Sequence, residues 1–194
     1  FQAGARGVSN SDSHSLKEIA RKCFHDGENA RPAAKEICEK VAGLIGTGKL
    51  HLHDIDQFLF ELAKNQSEVF LNAFLEPNPR ENRRLDRFLL SELRYSKNPI
   101  EVINTESLVD WCSKVPNTRW RVICKSMKLF KLNKDNRNCE WRDLFEKLVS
   151  ASPDLANCLD DIYATFHPTS WSGSLTDKLV SRLPLLETLV NHDH

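Results

Sequence analysis

An all-α protein is what this sequence predicts, and three observations carry the prediction. Helix-capping signatures recur along the chain. Between them, apolar residues return every three or four positions. No stretch alternates apolar and polar residues with a period of two between hairpin turns, so no sheet is expected. Helices of ten to sixteen residues with short connections imply antiparallel neighbours, in a repeat-like stack or an irregular bundle.

The elements follow in chain order. Ser15-Leu16-Lys17-Glu18 is a capping box, in which the hydroxyl accepts from the backbone at N3 and the glutamate reaches back; its helix should close at Gly27. Pro32 suits the first position of a second helix, with Ile37, Val41, Leu44 and Ile45 inward, ending near Gly46-Thr47-Gly48. Asp54 to Gln57 forms another box and opens a helix carrying Phe58, Leu59 and Leu62, followed by Val69, Phe70, Phe74 and Leu75. Asn78-Pro79-Arg80-Glu81 and Asn98-Pro99-Ile100-Glu101 are two copies of one device: Asn at the cap, Pro at N1, Glu at N3. The first should open a helix with Leu85, Phe88, Leu89 and Leu93 inward, the second a short helical turn.

Leu108, Val109, Trp111 and Cys112 come next, with a break at Pro116. Trp120, Ile123, Met127 and Phe130 then read as one helical stripe. After a polar loop, Trp141, Leu144, Phe145, Leu148 and Val149 form another. Ser152-Pro153 caps a helix with Leu155, Leu159, Ile162, Tyr163 and Phe166. The last helix starts at Ser174, with Asp177 at N3, and carries Leu179, Leu183, Leu186 and Leu189; Pro184 should kink or break it.

Leu59-Phe60-Glu61, Leu108-Val109-Asp110 and Leu144-Phe145-Glu146 each precede a turn (Gln66-Ser67, Val115-Pro116, Ser152-Pro153) and then an apolar helix, at a loose period. This pattern resembles the degenerate two-helix arrays of the HEAT and armadillo type over most of residues 32–194. The closing segment, Ser172 to Asp193, looks like the start of one more such unit, and is similar to helical regions appended to large bacterial multidomain proteins. The resemblance implies a HEAT-like α-solenoid, with an irregular helical bundle as the other arrangement. Residues 1–12 read as a disordered or tag-derived lead, and 13–194 as one helical domain with a sub-boundary near 96–104.

At 40% hydrophobic and 28% charged, the chain is globular rather than disordered. Lys+Arg and Asp+Glu are both 27, so no global field argues for nucleic acid, and any such case rests on local patches. No apolar run is long enough to span a bilayer, and no signal peptide is visible. Six dispersed cysteines without a C-x-x-C point to a reducing, cytoplasmic compartment. A chain that begins at Phe1 reads as part of a larger protein, expected to be bacterial.

Four constellations qualify as candidate sites. Lys114 to Arg137 holds eight Lys or Arg against the single acid Asp135. Within it, Arg121, Lys125 and Lys128 share an outer helix face, and Arg80, Arg83, Arg84 and Arg87 form a second basic stripe. Two such stripes suit a phosphate backbone; pairing with the acidic stretch Glu140 to Asp161 is the competing reading. His51 and His53 with Asp54 and His25 have ligand chemistry, but cap and loop roles explain them more simply, so no metal or cofactor is expected. Trp111, Trp120, Trp141 and Trp171 beside Asp110 fit core positions better than a base-binding face. Ser172-Gly173-Ser174 lacks the strand of a nucleophile elbow, and Gly43 to Lys49 lacks the order of a phosphate loop. The expectation is a non-enzymatic helical module that binds a protein partner or an adjoining domain of its own chain, with Leu179, Leu183, Leu186 and Leu189 at the seam. Nucleic-acid binding through the basic faces is the alternative, and no membrane is involved.

Overall fold

The computed structural model describes residues 10–25, 27–47, 49–50, 54–76, 98–133, 138–151, 158–166 and 173–190. Helices predominate among them, as the sequence predicts, with one small sheet. The capped helix expected from Asn78, the cap at Ser152-Pro153 and Trp171 lie outside the described residues.

The first two helices, α1 (Asn10–Phe24) and α2 (Gly27–Gly46), meet at Gly27, whose φ of +43° is left-handed and favours glycine. Both depart from the capping forecast. Helix α1 begins well before Ser15, which therefore lies inside it, and Glu18 pairs with Arg21 at 3.0 Å. Helix α2 starts at Gly27, so Pro32 falls inside it rather than at its first position. Its buried face is rotated as well. Ala30, Ala34, Cys38 and Ile45 are buried, whereas Ile37 and Leu44 are exposed. Small side chains win this face because α2 packs against α4 (Ser67–Phe74), which buries the bulky Val69, Phe70, Leu71 and Phe74. Residue size along α2 thus outweighs hydrophobicity alone.

Helix α3 (Asp56–Asn65) begins with the buried Ile55 at its cap, so the box expected from Asp54 gives way to Ile55 packing. Gln66 alone joins α3 to α4, and Val115 alone joins α5 (Thr105–Lys114) to α6 (Pro116–Ser126). The two corners share one backbone conformation, φ −135° and ψ 53° at Gln66 and φ −141° and ψ 71° at Val115. One residue is shorter than the two to five that fold a helical hairpin back on itself. Packing links alternate helices, α1 with α3, α2 with α4, α5 with α7 (Asp143–Ala151) and α6 with α8 (Leu159–Phe166), as well as the neighbours α3 with α4 and α5 with α6 across the two corners.

Between the two groups, Asn98-Pro99 makes the short turn that the sequence announces. Asn98 accepts from Ile100 N at 2.9 Å and donates to Ser126 O at 2.5 Å, and Ile100 is fully buried. Asn104 caps α5 by accepting from Glu106 N at 2.8 Å.

The sheet corrects the all-helical expectation. Helix α6 stops at Ser126, and the forecast stripe does not reach Phe130. Strand β1 (Phe130–Leu132) pairs antiparallel with β2 (Cys139–Trp141), Phe130 opposite Trp141. Three-residue strands are too short for period-two alternation to register. Their stability comes from rings distant in sequence: Phe130, Trp141 and Phe166 meet with centroids 5.8–6.4 Å apart.

The closing helix breaks near Pro184, as expected, into α9 (Leu175–Val180) and α10 (Leu183–Val190). Ser174 caps α9, accepting from Asp177 N at 3.3 Å. At the break, Ser181 O accepts from Cys139 N at 2.7 Å, so the free edge of β2 takes up the interruption. One hydrophobic cluster runs from Ala20 to Leu185 and ties these elements together.

Candidate interaction surface

Helix α10 is apolar on more of its circumference than the core can cover. Its sequence, LPLLETLV, leaves only Glu187 and Thr188 polar. Leu185 is buried and Leu189 half-buried against the core. Leu183 is 51% exposed, Leu186 37% and Val190 84%. The preceding α9 buries no residue, and its Leu175, Leu179 and Val180 are exposed. The structure therefore brings Leu179, Leu183 and Leu186 to the surface, while Leu189 leans into the core.

The backbone carrying this face is well anchored. Trp141 donates its indole N–H to Thr188 Oγ at 2.6 Å. Arg182 donates to Phe166 O and lies over the Phe130 ring, 4.9 Å from its centroid. Beside α10 a largely apolar cavity of about 220 Å³ is lined by Trp141, Phe145, Glu146, Val149, Thr188 and Leu189. An anchored helix whose outer side is apolar suits docking by burial of surface, not chemistry.

The basic candidates fare differently. Arg121 and Lys125 both grip Asp161, at 2.8 and 3.1 Å, and Asp161 is 8% exposed. The shared carboxylate offsets one of the two positive charges and links α6 to α8, the pairing with the acidic stretch weighed above. Lys128 is exposed. Arg80, Arg83, Arg84 and Arg87 lie outside the described residues, as do His51 and His53. No group of three or more metal-ligating side chains occurs among the described residues.

The cysteines are free thiols, five of them buried. Burial pushes the Cys38 and Cys112 thiols up to about 12. Cys124 is raised too, first by its hydrogen bond with Cys158 and then by burial. Protonated, buried thiols are poor nucleophiles at neutral pH.

A second concavity, of about 390 Å³, lies between the α3–α4 corner and α5 and is polar. Along it Arg31 pairs with Glu68 at 2.5 Å, Lys114 pairs with Glu68 at 3.0 Å, and Lys114 with Asp110 at 3.0 Å. Hydrogen bonds from Lys114 and Arg31 hold the Glu68 carboxyl below the usual carboxylate range. Sequence reasoning missed this network, because its members lie on three separate helices and none sits in a motif.

The chain matches no known protein-family model, no curated protein and no solved structure. No helix among the described residues is long and apolar enough to cross a membrane.

Proposed function

We propose that this protein is a helical interaction module whose docking surface is the outer face of α9 and α10, and that it has no catalytic role. The observation that carries the reading is the contrast within α10. Leu185 sits in the core while Leu183, Leu186 and Val190 stand exposed on a helix fixed by Trp141 and Arg182. Uncovered apolar surface on an anchored element costs solubility and adds nothing to the fold, so its use is to bury against something. The partner is a protein or an adjoining domain of the same chain, met in a reducing, cytoplasmic setting.

The nucleic-acid reading has less support, because Arg121 and Lys125 are both paired with Asp161, which offsets one of their two charges. Affinity capture separates the two. The wild type should retain a stoichiometric protein partner in the presence of nuclease, and L183Q/L186Q/V190Q should lose it. Retention by that triple variant, or loss on nuclease treatment alone, would overturn the proposal.

A further inference from the structure

We propose that the cavity beside α10 binds a small arylalkyl ammonium ion, its ring against Trp141 and Phe145 and its cation at Glu146. The cavity is separate from the outer face of α10. It is lined by Thr188 and Leu189, on the side of the helix that carries the buried Leu185. Size limits the occupant first. At about 220 Å³ the cavity exceeds the roughly 150 Å³ that holds benzene in an apolar protein interior. One ring or two fused rings fit this space, and a peptide backbone with its flanking residues does not.

The walls select an aromatic body. Trp141 and Phe145 lie with ring centroids 4.7 Å apart and planes tilted by 38°, and Val149 and Leu189 complete the apolar lining. A flat ring meets such walls in offset or edge contact. The polar groups then select the charge. The Trp141 indole N–H is taken by Thr188 Oγ at 2.6 Å, and the Thr188 hydroxyl donates to Leu185 O at 2.8 Å. No side-chain donor of the lining is left for a carboxylate or phosphate, which would be buried there unpaired. Glu146 is different. Its carboxylate is exposed and makes no ion pair among the described residues. An ionised carboxylate only accepts, so it calls for a cationic N–H donor. Because Glu146 is exposed, the pair stays hydrated and raises affinity by only about two- to fivefold.

Ligand-observed NMR titration with three indoles of different charge tests the proposal: tryptamine, neutral indole and indole-3-acetate. The wild type should bind tryptamine with a Kd on the order of 1 mM. Indole should bind about two- to fivefold more weakly, and indole-3-acetate most weakly of the three. Glu146→Gln, a change at an exposed position, should bring tryptamine down to the level of indole. Leu189→Trp fills the cavity from its half-buried side and should abolish binding of all three. No binding of tryptamine by the wild type at millimolar concentration overturns the proposal. So does a preference for tryptamine that survives in Glu146→Gln, or binding that Leu189→Trp leaves intact.

Discussion

Replacing Arg119 should destabilise this protein more than any other change to a cationic residue among those described. Only 8% of Arg119 is exposed. Its guanidinium donates to Trp111 O at 2.7 Å and to Glu76 at 2.5 Å, and lies 4.4 Å from the centroid of the Trp111 ring. In Arg119→Met the Trp111 carbonyl loses this donor, at a cost of about 1–3 kcal/mol. The lost cation–π contact adds about 1–2 kcal/mol for a desolvated pair. Glu76 is partly exposed and regains water, so its share is at most about 1 kcal/mol. The methionine recovers part of the packing, and the net loss should be about 3 kcal/mol. Arg119→Lys keeps the charge but not the planar fork, and should recover less than half of that. Urea unfolding followed by circular dichroism measures both. A loss below about 1 kcal/mol for Met, or a Lys variant equal to wild type, would refute the reasoning.

Other expectations follow from the same contacts. Glu68 has its folded pKa depressed, so its contribution is present above the unfolded carboxylate value of about 4.3 and is lost as pH falls through the folded value. Glu68→Gln should therefore flatten the acid limb of a stability–pH profile, and an unchanged limb would remove Glu68 from that account. Leu185→Ala should cost about 2–5 kcal/mol and Leu186→Ala less than about 1 kcal/mol, because only the first is buried. Equal losses in chemical denaturation would contradict the two-faced description of α10. Lys125→Glu with Lys128→Glu should leave nucleic acid unbound at low salt, like the wild type. Binding by the wild type that the double variant loses would favour the basic-face reading.

Local signals explain what was legible in the sequence. Asn98 and Ser174 cap through side chains that reach backbone N–H groups two or three residues on, and Pro184 acts through its ring, so a cap, a cap and a break appear where the residues announce them. Gln66 and Val115 fall at turns that the repeat pattern had already marked. What was not legible depends on contacts distant in sequence. The hairpin exists because Trp141 and Phe166 pack on Phe130. Helix α2 turns its small residues inward because α4 approaches there. Arg119 reads as one more surface cation until Glu76 and the Trp111 carbonyl are seen beside it. On the candidate surface, the leucine stripe was visible but its division was not. Leu185, outside the forecast stripe, carries the burial, and three of the four stripe leucines face outward.

The central claim is that the fold holds the α9–α10 face in place without using it. Thermal unfolding of L183Q/L186Q/V190Q at a concentration where the protein is monomeric measures this most directly. The account predicts a melting temperature unchanged or slightly raised, since no core contact is removed. A fall of more than about 4 °C, the signature of more than roughly 1 kcal/mol in a chain of this length, would show that these side chains belong to the core, and would contradict it.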